Sequence, residues 1–379
     1  MKNILIVDDS ALMRRVLSDI INKDDELHAD TSAGDGLEAL KILESGQKFD
    51  AILLDLIMPR MNGIEFLRSL NRNGRKERVL IVSTIAMNGA KETIEALELG
   101  AFDFVKKPES LSDIKSEKFS RKLLERLYCA MDMEWHGTGE DTQDSDNVSR
   151  KDKPKRAVEL KAAEKGGSSR LQRRAVTHNG KAPEKGSRNL VVLACSTGGP
   201  KALQYVIPLL PKNLNAPVLL VQHMPVGFTA SLSKRLDELS RIHVKEAEDG
   251  EVIQKGTVYI AKGGSQMRLI EKNRQSHMLS VREEGARNGL KPCADIMFES
   301  LRNSSFDNIV CVIMTGMGAD GTKGILQLEE TNKIYVIAQD KASCTVYGMP
   351  KAVAESGAVD EVHELKDIAD AITKHVGVQ

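Results

Sequence analysis

Cysteine is sparse in this chain, and what there is does not pair up. Cys129, Cys195, Cys293, Cys311 and Cys344 are odd in number, widely scattered, and form no Cys-x-x-Cys. They indicate neither a disulfide framework nor a zinc site, and a cytoplasmic protein is expected. An excess of one charge is also missing: 54 Lys+Arg balance 54 Asp+Glu. No global field therefore draws the chain to nucleic acid, and no nucleic-acid partner is expected. No apolar run approaches the roughly 18 residues of a membrane span, so no direct membrane insertion is expected. Met1-Lys2-Asn3 leads into only four apolar residues, Ile4 to Val7, too few for a signal peptide. What remains is a chain of ordinary apolar content, 41%, whose 379 residues suffice for two domains and a linker.

Residues 2 to about 130 alternate short apolar strands with amphipathic helices. Strands are expected at Ile4–Val7, His28–Thr31, Ala51–Leu54, Val79–Ser83 and Phe104–Lys106, with helices between them and a last one over Ile114–Met133. That alternation implies a doubly wound parallel sheet, whose ligands bind at the carboxyl ends of the strands. Asp8, Asp9, Asp55, Thr84 and Lys107 stand there. Three carboxylates on one edge repel each other unless a cation joins them. Oxygen ligands without His or Cys favour Mg²⁺, and the lysine and hydroxyl suit a phosphoryl group. Lys107-Pro108 reads as a cis-capable pair.

Val7-Asp8-Asp9-Ser10, Leu54-Asp55-Leu56-Ile57-Met58-Pro59 and Lys107-Pro108 resemble the receiver domain of bacterial response regulators, over residues 2–125. The resemblance implies a flavodoxin-like fold in which Asp55 accepts phosphate from a histidine kinase. It further implies that Asp8 and Asp9 hold Mg²⁺ with Asp55, that Lys107 contacts the phosphoryl group, that Thr84 is the switch hydroxyl and that Phe104 is the aromatic switch position.

From residue 136 to 187 apolar periodicity stops, just after Trp135, the only tryptophan. The stretch is acidic at first and then strongly basic, a composition that cannot bury enough surface to fold alone. No aromatics interleave its basic residues for base stacking, so it is expected to be a flexible linker.

Alternation resumes at residue 188. Leu190–Ala194 is an unbroken apolar run that suits a doubly buried strand. Ser196 follows at once, then the bend Thr197-Gly198-Gly199, then Pro200 at the first turn of a helix. Strand, sharp turn and helix with a serine on the turn form a nucleophile elbow, here with Ala194 in place of the usual first glycine. Free N–H groups at the helix start, about Thr197 and Gly198, would support an oxyanion. Two further expected strands, Val218–Gln222 and Ile309–Met314, lead to His223 and to Thr315-Gly316-Met317-Gly318-Ala319-Asp320-Gly321. Ser196 as nucleophile, His223 as base and Asp320 as its orienter make a triad. Cys195 is expected to point to the opposite face and is not the nucleophile. The rival is a nicotinamide-dinucleotide oxidoreductase: Gly316-Met317-Gly318-Ala319-Asp320-Gly321 fits Gly-x-Gly-x-x-Gly, with Asp340 about twenty residues on. Its strand comes too late in the domain for the usual βαβαβ half, and it leaves Ser196 and His223 without a role.

Ser196-Thr197-Gly198-Gly199-Pro200, Gln222-His223-Met224-Pro225, the Thr315–Gly321 loop and Ala342-Ser343-Cys344-Thr345-Val346-Tyr347-Gly348-Met349-Pro350 resemble the catalytic domain of chemotaxis protein-glutamate methylesterases. The resemblance implies hydrolysis of glutamate γ-methyl esters on methyl-accepting chemoreceptors, with release of methanol and, in some members, deamidation of receptor glutamines. It gives the Met317 backbone N–H an oxyanion role and implies that the unphosphorylated receiver packs over the Ser196 cleft. The expectation is therefore an α/β protein of two doubly wound parallel-sheet domains, receiver 2–125 and Rossmann-like esterase 188–379, joined by a flexible linker over 136–187. It is expected to be a monomer and a phosphorylation-activated serine hydrolase that needs Mg²⁺ for phosphorylation and no cofactor for the esterase reaction. A non-catalytic receiver adaptor is the remaining alternative.

Overall fold

The computed structural model describes residues 1–83, 87–108, 117–133, 186–273 and 276–379. Thr84 and nearly all of the expected linker lie outside the described residues. Five parallel strands, β1 (Lys2–Val7), β2 (Leu27–Ala33), β3 (Ala51–Leu54), β4 (Val79–Ser83) and β5 (Asp103–Lys106), form a sheet in the order β2-β1-β3-β4-β5. Helices α1 (Ala11–Ile21) and α5 (Glu117–Ala130) cover one face; α2 (Gly36–Glu44), α3 (Gly63–Arg72) and α4 (Met87–Glu98) cover the other. The side-chain period explains the two layers: Ile4 and Ile6 enter the core beneath α1 and α5, while Leu5 and Val7 enter the opposite one. Lys107–Pro108 is not cis; among the described residues the cis bond is Lys291–Pro292.

The second sheet has seven parallel strands in the order β14-β13-β12-β6-β7-β9-β8. Its centre is β6 (Asn189–Cys195), buried along its whole length, flanked by β7 (Val218–Gln222) and β12 (Asn308–Ile313). β8 (His243–Glu246), β9 (Thr257–Ile260), β13 (Ile334–Gln339) and β14 (Glu361–His363) complete it. From β6 the chain winds first toward β7, β8 and β9, then returns to β12 on the other side. The strand order therefore reverses between β6 and β12, which opens the crevice where doubly wound sheets place their sites. α6 (Gly199–Val206), α7 (Phe228–Leu239), α8 (Ala294–Glu299), α9 (Thr322–Glu329), α10 (Met349–Glu355) and α11 (Ile368–Val376) pack on the faces.

The apolar run Met278–Val281, which the sequence leads one to expect as a further strand of this sheet, is a strand but not of this sheet. It lies in β11 (Ser276–Arg282), which pairs antiparallel with β10 (Gln266–Asn273) in a separate hairpin. The two domains touch directly: α4 packs on α6 and α7, and one apolar cluster runs from Ile94, Leu97 and Phe104 into Leu203, Phe228 and Leu232.

Candidate active site and phosphoryl-acceptor pocket

β6 and β7 pair with Cys195 opposite Gln222, so Ser196 and His223 leave neighbouring strands side by side. The backbone ties them there: His223 N–H donates to Cys195 O at 3.1 Å, and Ser196 N–H donates to Thr315 O at 3.0 Å. Gln222, fully enclosed, donates its side-chain amide to Ser196 O at 2.9 Å and accepts from Cys195 Sγ at 3.0 Å. Cys195 thus points into the core away from the crevice, and burial pushes its thiol up, out of the range of a thiolate nucleophile.

The bend after Ser196 requires glycine. Gly198 has φ 78°, and a Cβ there would stand 2.4 Å from Thr345. Gly316 is equally enclosed, since its Cβ would meet Met349 Sδ at 2.5 Å and Ser196 Cβ at 2.8 Å. The loop that fits the dinucleotide pattern is therefore packed against the serine turn and leaves no room for a pyrophosphate at Gly316. Thr315 stitches the loops together: its Oγ1 donates to Thr197 O at 2.9 Å and accepts from Val346 N–H at 3.0 Å. Among the described residues, the backbone N–H groups of Thr197, Gly198 and Met317 donate to no acceptor.

His223 Nε2 lies 2.7 Å from Asp320 Oδ2. Asp320 also accepts from Ala294 N–H at 2.6 Å, from Asp295 N–H at 3.0 Å and from Cys293 Sγ at 3.1 Å. Burial works to raise its pKa, but the His223 contact and the two backbone donors outweigh it and hold the carboxyl at about 2. A permanently ionised aspartate against an imidazole favours the imidazolium that proton abstraction creates. With Nε2 engaged, the ring leaves Nδ1 for another partner; the Ser196 hydroxyl makes no hydrogen bond to it in this state. The structure thus brings His223 and Asp320 into contact and sets Ser196 beside them without closing that last bond. Asp320 does not directly end a strand: β12 ends at Ile313, and the loop that leads on to α9 brings Asp320 against the start of α8.

The receiver-like domain reaches this crevice. Asp103 Oδ2 accepts from Thr197 Oγ1 at 2.6 Å and pairs with Arg126 at 3.1 Å. Arg126 itself contacts Thr197 Oγ1 and lies 3.0 Å from Met317 Sδ. Ser196 is 4% and Thr197 2% exposed. Arg235 grips Glu98 through two bonds of 2.7 and 3.0 Å beside it. Asp103, Arg126 and Cys293 act across fold-level contacts that no local pattern marks; Gln222 stands in the Gln222-His223-Met224-Pro225 motif, which gives no sign of its bonds to Cys195 and Ser196.

At the carboxyl edge of the first sheet, Asp8, Asp9 and Asp55 each offer an oxygen, all within 4.8 Å of one another. Lys107 Nζ lies 2.6 Å from Asp55 and 2.7 Å from Asp8. Burial pushes the Asp55 carboxyl up, Lys107 draws it down and Asp8 pushes it up again; the net direction is upward. Lys107 is held protonated, since its two carboxylate partners outweigh the cost of burial. Asp8 Oδ2 has Lys107 as an ionic neighbour but no hydrogen bond, and the donor set is all oxygen. These residues fit a hard divalent cation such as Mg²⁺.

Residues 191–372 match the family model described as CheB methylesterase, and residues 4–117 match the response regulator receiver domain. The whole chain is similar to a protein-glutamate methylesterase/protein-glutamine glutaminase of Bacillus subtilis, 40% identical with 99% of each chain covered. A protein of the same description from Pyrococcus abyssi is 37% identical, covering 98% of this chain and 93% of that one. The solved catalytic domain of the Thermotoga maritima CheB methylesterase is 42% identical, covers 49% of this chain and 97% of that one, and superposes with a TM-score of 0.47.

Proposed function

The chain belongs to the protein-glutamate methylesterase/protein-glutamine glutaminase family, and on that premise we propose how its own residues carry the reaction. It is a hydrolase under receiver control. The substrate is a glutamate γ-methyl ester on a chemoreceptor, or a receptor glutamine. Ser196 Oγ attacks the side-chain carbonyl carbon while His223 Nδ1 takes the hydroxyl proton and Asp320 stabilises the imidazolium. The N–H groups of Met317, Thr197 and Gly198 face the developing oxyanion. His223 returns its proton to the departing methoxide or amide nitrogen, releasing methanol or ammonia, and water then cleaves the acyl-serine by the same steps in reverse. No nicotinamide chemistry is supported by the packed Gly316–Gly321 loop or by the relatives.

The receiver spans residues 2–125, the linker 136–187 and the esterase 188–379 in this reading. A chemotaxis histidine kinase supplies the phosphoryl group to Asp55. Asp8, Asp9 and Asp55 would hold Mg²⁺, which would offset charge at the acceptor, and Lys107 would neutralise the phosphoryl oxygens. The esterase uses no cofactor, and the protein works as a cytoplasmic monomer. No described helix is long and apolar enough to cross a membrane. The observation that carries the reading is the His223–Asp320 pair beside Ser196 at the sheet's switch point, with Asp103 and Arg126 lodged against it. Methanol release by wild type and by Ser196→Ala, each with and without acetyl phosphate, tests it.

A further inference from the structure

α8 and α9 pack side by side, with two buried aspartates at their N-terminal ends. Asp295 N–H donates to Asp320 Oδ1 at 3.0 Å. In return, Asp295 Oδ1 accepts from Gly321 N–H at 3.0 Å and Gly324 N–H at 2.7 Å. Each aspartate therefore binds the backbone of the segment that bears the other. The contact has no slack, because a Cβ on Gly324 would stand 2.7 Å from Phe298 Cβ and 2.9 Å from Asp295 Cα. Asp295 is 5% exposed, and nothing in the proposed chemistry uses its carboxylate. Burying a second acid so near Asp320 carries an electrostatic cost, which its two backbone donors offset. Burial pushes the Asp295 carboxyl up while Asp320 is held low, so the two acids are driven apart in strength.

We propose that Asp295 is a positioning residue for the esterase: by fixing Gly321 and Gly324 it holds the 316–320 loop so that Asp320 meets His223 and the Met317 N–H faces the crevice. This rests on the triad reading. Loss of that contact lets Asp320 swing from the imidazole, so the imidazolium loses its partner. The rate at saturation falls while substrate binding, which is made elsewhere, does not.

The test uses the full chain saturated with acetyl phosphate and Mg²⁺ on methylated receptor membranes. Phosphorylation is checked by label at each pH. Asp295→Ala is expected to lower kcat about 10- to 100-fold with KM changed less than about threefold. Its acidic limb of activity should also move to lower pH, because an unpaired imidazole is a weaker base. Asp295→Asn keeps the acceptor oxygen and should restore both the rate and the limb. If Asp295→Ala does not fold, Asp295→Ser, with a shorter acceptor, takes its place under the same readouts. An unmoved limb, or a loss matched by a fall in serine titratable with a fluorophosphonate, would mean a fold role only and overturn the proposal. Ser196→Ala runs alongside: if that variant keeps activity, the triad reading itself has failed, whatever Asp295 does.

Discussion

Phe104 and Phe228 stack with ring centroids 4.6 Å apart and planes 30° apart. Phe104 sits on the last strand of the receiver sheet, and Phe228 opens the helix that follows the His223 loop. Both are buried, at 7% and 0% exposure. Phe104 is thus built into the esterase core, and moving it must disturb the start of α7. Only a ligand that discriminates the packed from the open arrangement can shift that balance, and a phosphoryl group on Asp55 does so if it repositions Phe104. Phe104→Ala should therefore raise the resting activity of the full chain toward the phosphorylated level. An esterase fragment starting at Ser187 should show high activity that acetyl phosphate leaves unchanged.

Arg126 gives a sharper test of the same contact. It bridges Asp103 to Thr197 and Met317. Removing about 1 kcal/mol of closing free energy would raise a small open population about fivefold. Arg126→Ala should increase methanol release without phosphodonor by about that factor and leave the phosphorylated rate unaltered. Unchanged resting activity would show that this bridge does not hold the domains closed.

The proposed nucleophile and its proposed base are tested by Ser196→Ala and His223→Ala. Each should lose orders of magnitude in methanol release while keeping the wild-type circular dichroism spectrum. Activity that survives Ser196→Ala but not Cys195→Ala would reverse the assignment.

Acid stability should report the buried aspartate and a second carboxylate. Glu361 is held at about 2: burial works to raise it, and hydrogen bonds from His363 and Tyr335, with His375 nearby, draw it lower. A carboxyl depressed on folding stabilises above its unfolded value, near 4.3, and that stability is lost as pH falls toward the folded value. Glu361→Gln should cost about 1–3 kcal/mol at neutral pH. The difference from wild type in Tm should shrink between pH 4 and pH 2. A constant difference across that range would remove the ionic explanation.

Much of this arrangement is legible from residue order. Fully buried strands such as Ala51–Leu54 and Val218–Gln222 read as apolar runs because both faces are covered. The chemistry-bearing residues follow them because parallel strands deliver side chains to one edge. Edge elements read poorly: β8 at His243–Glu246 carries charges on a half-exposed border, and β14 is only three residues long. β11 was readable as a strand, but nothing local told its hairpin from the main sheet. Asp295 was hidden for another reason. It stands in α8, which carries no motif, and its partners Gly321 and Gly324 are brought to it only when α8 meets α9.

If Asp55 is the phosphoryl acceptor proposed above, Asp55→Asn takes up no label from acetyl phosphate and EDTA blocks labelling of the wild type. Stable label on Asp55→Asn would place the acceptor elsewhere.

The most direct measurement is methanol release from methylated receptor membranes by the full chain, with and without acetyl phosphate and Mg²⁺, for wild type, Asp55→Asn and Ser196→Ala in parallel. Wild type should release little methanol at rest and much more with phosphodonor, Asp55→Asn should stay at the resting level in both, and Ser196→Ala should release none in either. Equal wild-type rates with and without phosphodonor, or release by Ser196→Ala, would contradict a serine methylesterase held closed by its own receiver.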